Sequence, residues 1–84
     1  MDTHPIEVKV FTRHGCVQCT ATLRALEKVG VTPVLVDVDA DPAAAGEAHA
    51  LGALSLPVVV VGTTWWAGYR PDKIAALVRG GEPR

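Results

Sequence analysis

Apolar and polar side chains alternate from Ile6 to Phe11, with Ile6, Val8 and Val10 on one side and Glu7 and Lys9 on the other. That is the period of a strand with one buried face. Thr12 to Gly15 reads as a loop. From Val17 to Val29 the period becomes helical: Cys19, Leu23, Leu26 and Val29 fall on one stripe, and Gly30 suits the position that ends a helix. Thr32-Pro33 precedes a second strand, Val34 to Val38. Asp41-Pro42 predicts a helix start, because Asp caps free N–H groups and Pro fits the first helical position. That helix runs to about Leu51 and stops at Gly52. Val58 to Val61 is an unbroken β-branched run, the pattern of a strand buried on both faces. Gly62-Thr63, with Gly first, suits a type II′ hairpin turn, so Thr64 to Ala67 returns antiparallel. Pro71-Asp72 opens a last helix whose Ile74, Leu77 and Val78 form one stripe, ending at Gly80-Gly81.

The element order is βαβ–α–ββ–α. A helical crossover permits the first two strands to lie parallel and favours a right-handed connection. The predicted fold class is α/β, a mixed four-stranded sheet flanked by three helices. The pattern does not fix the strand order. With 84 residues, 49% of them apolar, the chain has material for one small domain, residues 1–84, and too little for two. There is no internal repeat and no linker.

A net charge of −1 removes the electrostatic case for nucleic acid or an anionic membrane. The longest apolar stretch, Leu56 to Val61, is far too short to span a bilayer. Met1-Asp2-Thr3-His4-Pro5 carries neither a basic nor an apolar export region, which predicts a cytoplasmic protein in a reducing compartment. In that setting a lone cysteine pair is catalytic or metal-binding more often than a structural disulfide.

The pair is Cys16-Val17-Gln18-Cys19, placed between a strand and the first turn of a helix. A thiol there faces unpaired backbone N–H groups and the positive end of the helix dipole, and both favour the thiolate. A second thiol one turn later can close a disulfide with it. Helix geometry assigns the roles: Cys16 at the helix mouth attacks, and Cys19, further in, resolves the mixed disulfide. Arg13 and His14 lie just upstream, where they either add positive potential near Cys16 or are ordinary solvated loop residues. A zinc site needs four ligands as a rule, and the remaining candidates, His4, His14 and His49, share no ligand spacing. No metal is therefore assigned. The acidic run Asp37-Val38-Asp39-Ala40-Asp41 resembles the start of a calcium loop. It has Pro42 where that loop needs Gly and Ala48 where it needs Glu, so strand-end solvation and a helix cap account for it.

Pro57 stands just ahead of the central apolar strand and supplies no N–H to a ladder, which predicts a bend. The N-terminal strand, the CxxC at a helix start, this X-Pro and the element order together resemble the thioredoxin/glutaredoxin superfamily. Cys16-Val17-Gln18-Cys19, taken with Trp66-Ala67-Gly68-Tyr69-Arg70-Pro71-Asp72, is similar to the NrdH-redoxin family, glutaredoxin-like proteins with thioredoxin-like activity. The resemblance covers nearly the whole chain.

It implies a thioredoxin/glutaredoxin-like fold, with Cys16 and Cys19 as the nucleophilic and resolving thiols of a redox disulfide. It also implies a cis bond before Pro57, and backbone groups of Leu56 that pair with an extended partner chain beside the disulfide. Val17 and Gln18, and Trp66, Gly68 and Arg70 in the second motif, are the further residues it places at the partner. No bound cofactor is implied. Electrons come from NADPH through the flavoprotein thioredoxin reductase and pass to the large subunit of class Ib ribonucleotide reductase. A monomer is expected, since exchange partners need open access to Cys16. Two positions depart from the family motif, which usually reads Trp-Ser-Gly-Phe-Arg-Pro: Ala67 removes a hydroxyl and Tyr69 adds one. Trp65 and Trp66 must point to opposite faces of a strand. Trp66 either packs at the sheet edge or contributes to a reductase-docking surface, and Arg70 is expected to brace a turn.

Within the same chemistry the competing reading is a glutathione-dependent glutaredoxin. Against it stand Val17-Gln18 in place of the usual Pro-Tyr, and Gly68-Tyr69-Arg70-Pro71 in place of a Gly-Gly-x-Asp stretch. From other classes come a CxxC metal- or iron–sulfur-binding protein and a non-catalytic interaction module.

Overall fold

A computed structural model describes residues 7–79 and shows seven elements. They are β1 (Val8–Thr12), α1 (Val17–Lys28), β2 (Val34–Asp37), α2 (Pro42–Ala50), β3 (Val58–Val61), β4 (Thr64–Ala67) and α3 (Pro71–Arg79). The predicted order is the observed one. The strand order left open by the sequence is β2-β1-β3-β4, with β1 and β2 parallel and the other two pairings antiparallel.

Each boundary has a local cause. α1 ends in two reinforcing bonds: the Gly30 N–H donates to Glu27 (3.0 Å) and the Val31 N–H donates to Leu26 (2.9 Å). Gly30 takes φ +84° there, the left-handed conformation glycine adopts without a side-chain clash. Asp41 caps α2 by accepting the Ala43 N–H at 3.1 Å, with Pro42 at the first helical position, as the sequence predicts. β2 stops at Asp37 rather than Val38. The Asp37 carboxylate accepts the N–H groups of Asp39 (2.8 Å) and Ala40 (3.4 Å), which turns the chain. At the β3–β4 hairpin Val61 pairs with Thr64, and Gly62 alone has positive φ, as a type II′ turn requires. Ile6, the side chain of Val78 and the Gly80-Gly81 stop lie outside the described residues.

The sheet is buried on both faces. On one, Val8, Val10, Val59, Val61 and Trp66 pack against Leu26 of α1 and Ile74 and Leu77 of α3. On the other, Phe11 and Val58 pack against Ala44 and Ala48 of α2. β3 touches both clusters, which is why it is continuously β-branched. Among the described residues no helix is long and apolar enough to cross a membrane.

Candidate active site

β1, central in the sheet beside β3, delivers the chain through Arg13–Gly15 into the mouth of α1, where Cys16 is the N-cap residue with extended backbone. Its sulfur takes the place of a capping oxygen, accepting the Cys19 N–H at 3.2 Å. Its carbonyl accepts the Thr20 N–H at 3.1 Å and the Thr20 hydroxyl at 3.3 Å. The sulfur therefore sits against a backbone donor at the amino end of a twelve-residue helix. Both cysteines are free thiols; Cys16 is partly exposed, and Cys19, one turn on, is 3% exposed. This is the difference in accessibility that helix geometry predicts for an attacking and a resolving thiol.

Burial pushes the Cys19 thiol up to about 11, helped by its hydrogen bond to Cys16 and by the neighbouring Cys16 charge. The Arg13 backbone N–H and the Arg13 charge act in the opposite direction and are outweighed. At about pH 8 such a thiol is roughly one part in a thousand thiolate. Iodoacetamide at that pH is thus expected to label Cys16 once per native molecule, as read by intact mass. Cys19 labelling should rise about tenfold per pH unit as pH approaches the pKa, and should become complete on denaturation. Equal labelling of both thiols in the native protein near pH 8 would contradict the burial.

Two loops meet the thiol turn: Leu56 lines a cavity with Cys16, and the Tyr69 backbone is held by Gln18. The Leu56–Pro57 peptide is cis, as the family resemblance implies. Pro57 is buried and its carbonyl accepts the Gly68 N–H at 2.8 Å. The described residues make no backbone hydrogen bond to Leu56. Gln18 reaches from α1 to accept the Tyr69 N–H at 3.0 Å. Val17, next to Cys16, is 83% exposed. Arg70 forms a two-pronged pair with Asp72 (3.2 and 3.0 Å) and accepts the Lys73 and Ile74 N–H groups on its carbonyl, so it braces the start of α3. The Arg70 guanidinium holds the Asp72 carboxyl below its usual range.

Of the two readings of Trp66, packing is the one the structure shows: its ring is 6% exposed within the larger core cluster. It is thereby corrected as a docking residue, because the pleat turns it inward and leaves Trp65, at 36%, as the indole solvent can reach. Tyr69 is exposed and Ala67 half-buried. His14 is exposed and stands apart from the groove beside Cys16. Arg13 lines that groove and pairs with Asp39 at 3.2 Å.

The groove itself was not anticipated. A cavity of about 510 Å³ opens beside Cys16, walled by Val38, Ala45, Ala48, Leu56 and Val58, with Arg13 and His49 also in its lining. Its walls come from β2's end, α2, the α2–β3 loop and β3, and no local pattern joins residues so scattered. Among the described residues no three His, Cys, Asp or Glu side chains converge on a metal position; His4 lies outside them.

Comparison with known proteins places this geometry. The glutaredoxin family model matches residues 8–66. The glutaredoxin-like protein NrdH of Escherichia coli K12 is 43% identical over 72 residues, covering 86% of this chain and 89% of that protein. The chain belongs to the NrdH glutaredoxin-like family. The NrdH of Salmonella typhimurium is 44% identical over the same length. Among solved structures, the E. coli NrdH-redoxin, described by its thioredoxin-like activity profile, superposes with a TM-score of 0.81 at 44% identity, covering 84% of this chain and 93% of that one. A glutaredoxin from Archaeoglobus fulgidus superposes at 0.73 with 28% identity, covering 89% and 88%. Like its NrdH relatives, the chain is a redoxin of thioredoxin-like fold, a thiol–disulfide oxidoreductase working through Cys16 and Cys19.

Proposed function

We propose that the chain is a cytoplasmic dithiol electron donor that reduces protein disulfides. In this reading it is recycled by NADPH through thioredoxin reductase, with the large subunit of class Ib ribonucleotide reductase as acceptor. The observation that carries the reading is the asymmetry of the pair: a partly exposed sulfur held by the Cys19 N–H, with a buried thiol one turn behind it. The Cys16 thiolate attacks one sulfur of the partner disulfide. That S–S bond breaks, the partner's other sulfur leaves as a thiolate, and a mixed disulfide forms. Cys19, deprotonated, then attacks the Cys16 sulfur, expels the second partner thiolate and closes the Cys16–Cys19 disulfide. Two electrons pass to the partner, which takes up two protons. The apolar groove offers a protein chain a seat beside the sulfur.

The thioredoxin-like profile of the E. coli relative supports thioredoxin reductase over glutathione as the electron source. The test supplies NADPH with either thioredoxin reductase or glutathione plus its reductase, and follows insulin reduction. Turnover is expected with thioredoxin reductase and little with glutathione. Faster turnover on the glutathione side would transfer the assignment to a glutaredoxin.

A further inference from the structure

Gln18 makes a contact that spans 51 residues of sequence. It stands on the first turn of α1 between the two thiols, exposed, and its Oε1 accepts the Tyr69 N–H at 3.0 Å. The preceding amide, that of Gly68, donates instead to the Pro57 carbonyl at 2.8 Å. Two consecutive N–H groups of the β4–α3 loop are thus divided between the thiol turn and the proline loop. Gly68 suits this loop by its backbone: its φ is +88°, a conformation L side chains rarely adopt, and a Cβ there would meet the same Gln18 oxygen at 3.4 Å, an ordinary contact.

We infer that Gln18 is a positioning residue that locks the thiol turn, the Leu56–Pro57 segment and the Tyr69 loop into one arrangement matched to a protein disulfide. This inference rests on the protein-reductase reading above. A protein partner must meet all three segments at once, whereas a small disulfide needs only the Cys16 sulfur. The carboxamide is neutral, so removing it adds no charge beside the thiols. Losing the clasp therefore affects the large substrate and spares the small one. A brace serving stability alone would shift the unfolding midpoint and leave that selectivity unchanged.

The test reacts pre-reduced wild type, Gln18→Met and Gln18→Glu in single turnovers with insulin and with bis(2-hydroxyethyl) disulfide, without any reductase. Gln18→Met is expected to lower the insulin rate constant about fivefold, the equivalent of one net hydrogen bond of about 1 kcal/mol. The small-disulfide constant should stay unchanged, and the Tyr69 amide should exchange faster with deuterium. Gln18→Glu keeps an acceptor oxygen, so the ratio of the two constants should return to the wild-type value even where the added anion slows both. Equal slowing of both substrates by Gln18→Met, or no change in either, overturns the inference. Wild type that reduces the small disulfide but not insulin overturns the protein-reductase reading itself and this inference with it, a result distinct from either variant outcome.

Discussion

Replacing Cys16 with serine is expected to bring disulfide reduction down to the protein-free blank while the fold survives. A serine hydroxyl cannot form the mixed disulfide, so no slower version of the same route remains. The structure also separates this loss from unfolding. Cys16 is the N-cap of α1, accepting the Cys19 N–H through its side chain, and serine is among the preferred residues at that position. The helix keeps its cap, and the change in stability should stay within about 1 kcal/mol. Insulin turbidity with NADPH and thioredoxin reductase reads the activity; a urea midpoint reads the fold. Residual turnover in a cleanly folded Cys16→Ser protein would remove Cys16 from the nucleophile role.

Replacing Cys19 with serine gives a different loss. The first attack proceeds and the second cannot, so the protein accumulates as a covalent adduct with its target, seen as a summed mass that dithiothreitol releases. The geometry explains why the resolving step waits for the first. In the reduced protein, burial holds Cys19 protonated, and the Cys16 sulfur adds to that through a hydrogen bond and its charge. Once Cys16 is bonded to a partner it bears no charge. Its contribution disappears while the Arg13 backbone N–H still favours a Cys19 anion. The resolving thiol is thus partly released at the moment it has a disulfide to attack, while its burial, the larger cause, still favours the protonated form. Serine offers that N–H an oxygen in the same place, and Cys19→Ala serves as a second variant free of a buried hydroxyl. If neither variant forms an adduct with insulin or with the ribonucleotide reductase subunit under oxidising conditions, the two-role assignment fails.

The elements that sequence reasoning located are those whose signals are local. Asp41-Pro42 caps α2, Gly30 closes α1, and Gly62 makes the hairpin because each is decided within four or five residues of backbone. The difference in exposure between the cysteines was readable for the same reason, as they lie one helical turn apart. Strand order was not, since it depends on which β-rich run meets which across the whole chain. The end of β2 moved from Val38 to Asp37 because a side-chain turn competes with the ladder, a contest the apolar pattern of Val34–Val38 does not display. Alternation required Trp65 and Trp66 to face apart, but which one turns inward depends on the pairing of Trp66 with Val59. The groove and the Gln18 clasp were beyond reach altogether, as they join residues that only the folded topology makes neighbours.

The two faces of the sheet are unequally furnished. One carries two helices and the large Leu26–Trp66–Ile74 cluster; the other carries α2 alone, meeting Phe11 through two alanine methyls. The cavity beside Cys16 lies on this lightly built side. Replacing Ala45 or His49, which line that cavity and stand outside both buried clusters, is therefore expected to reshape the surface beside the sulfur at little cost to folding.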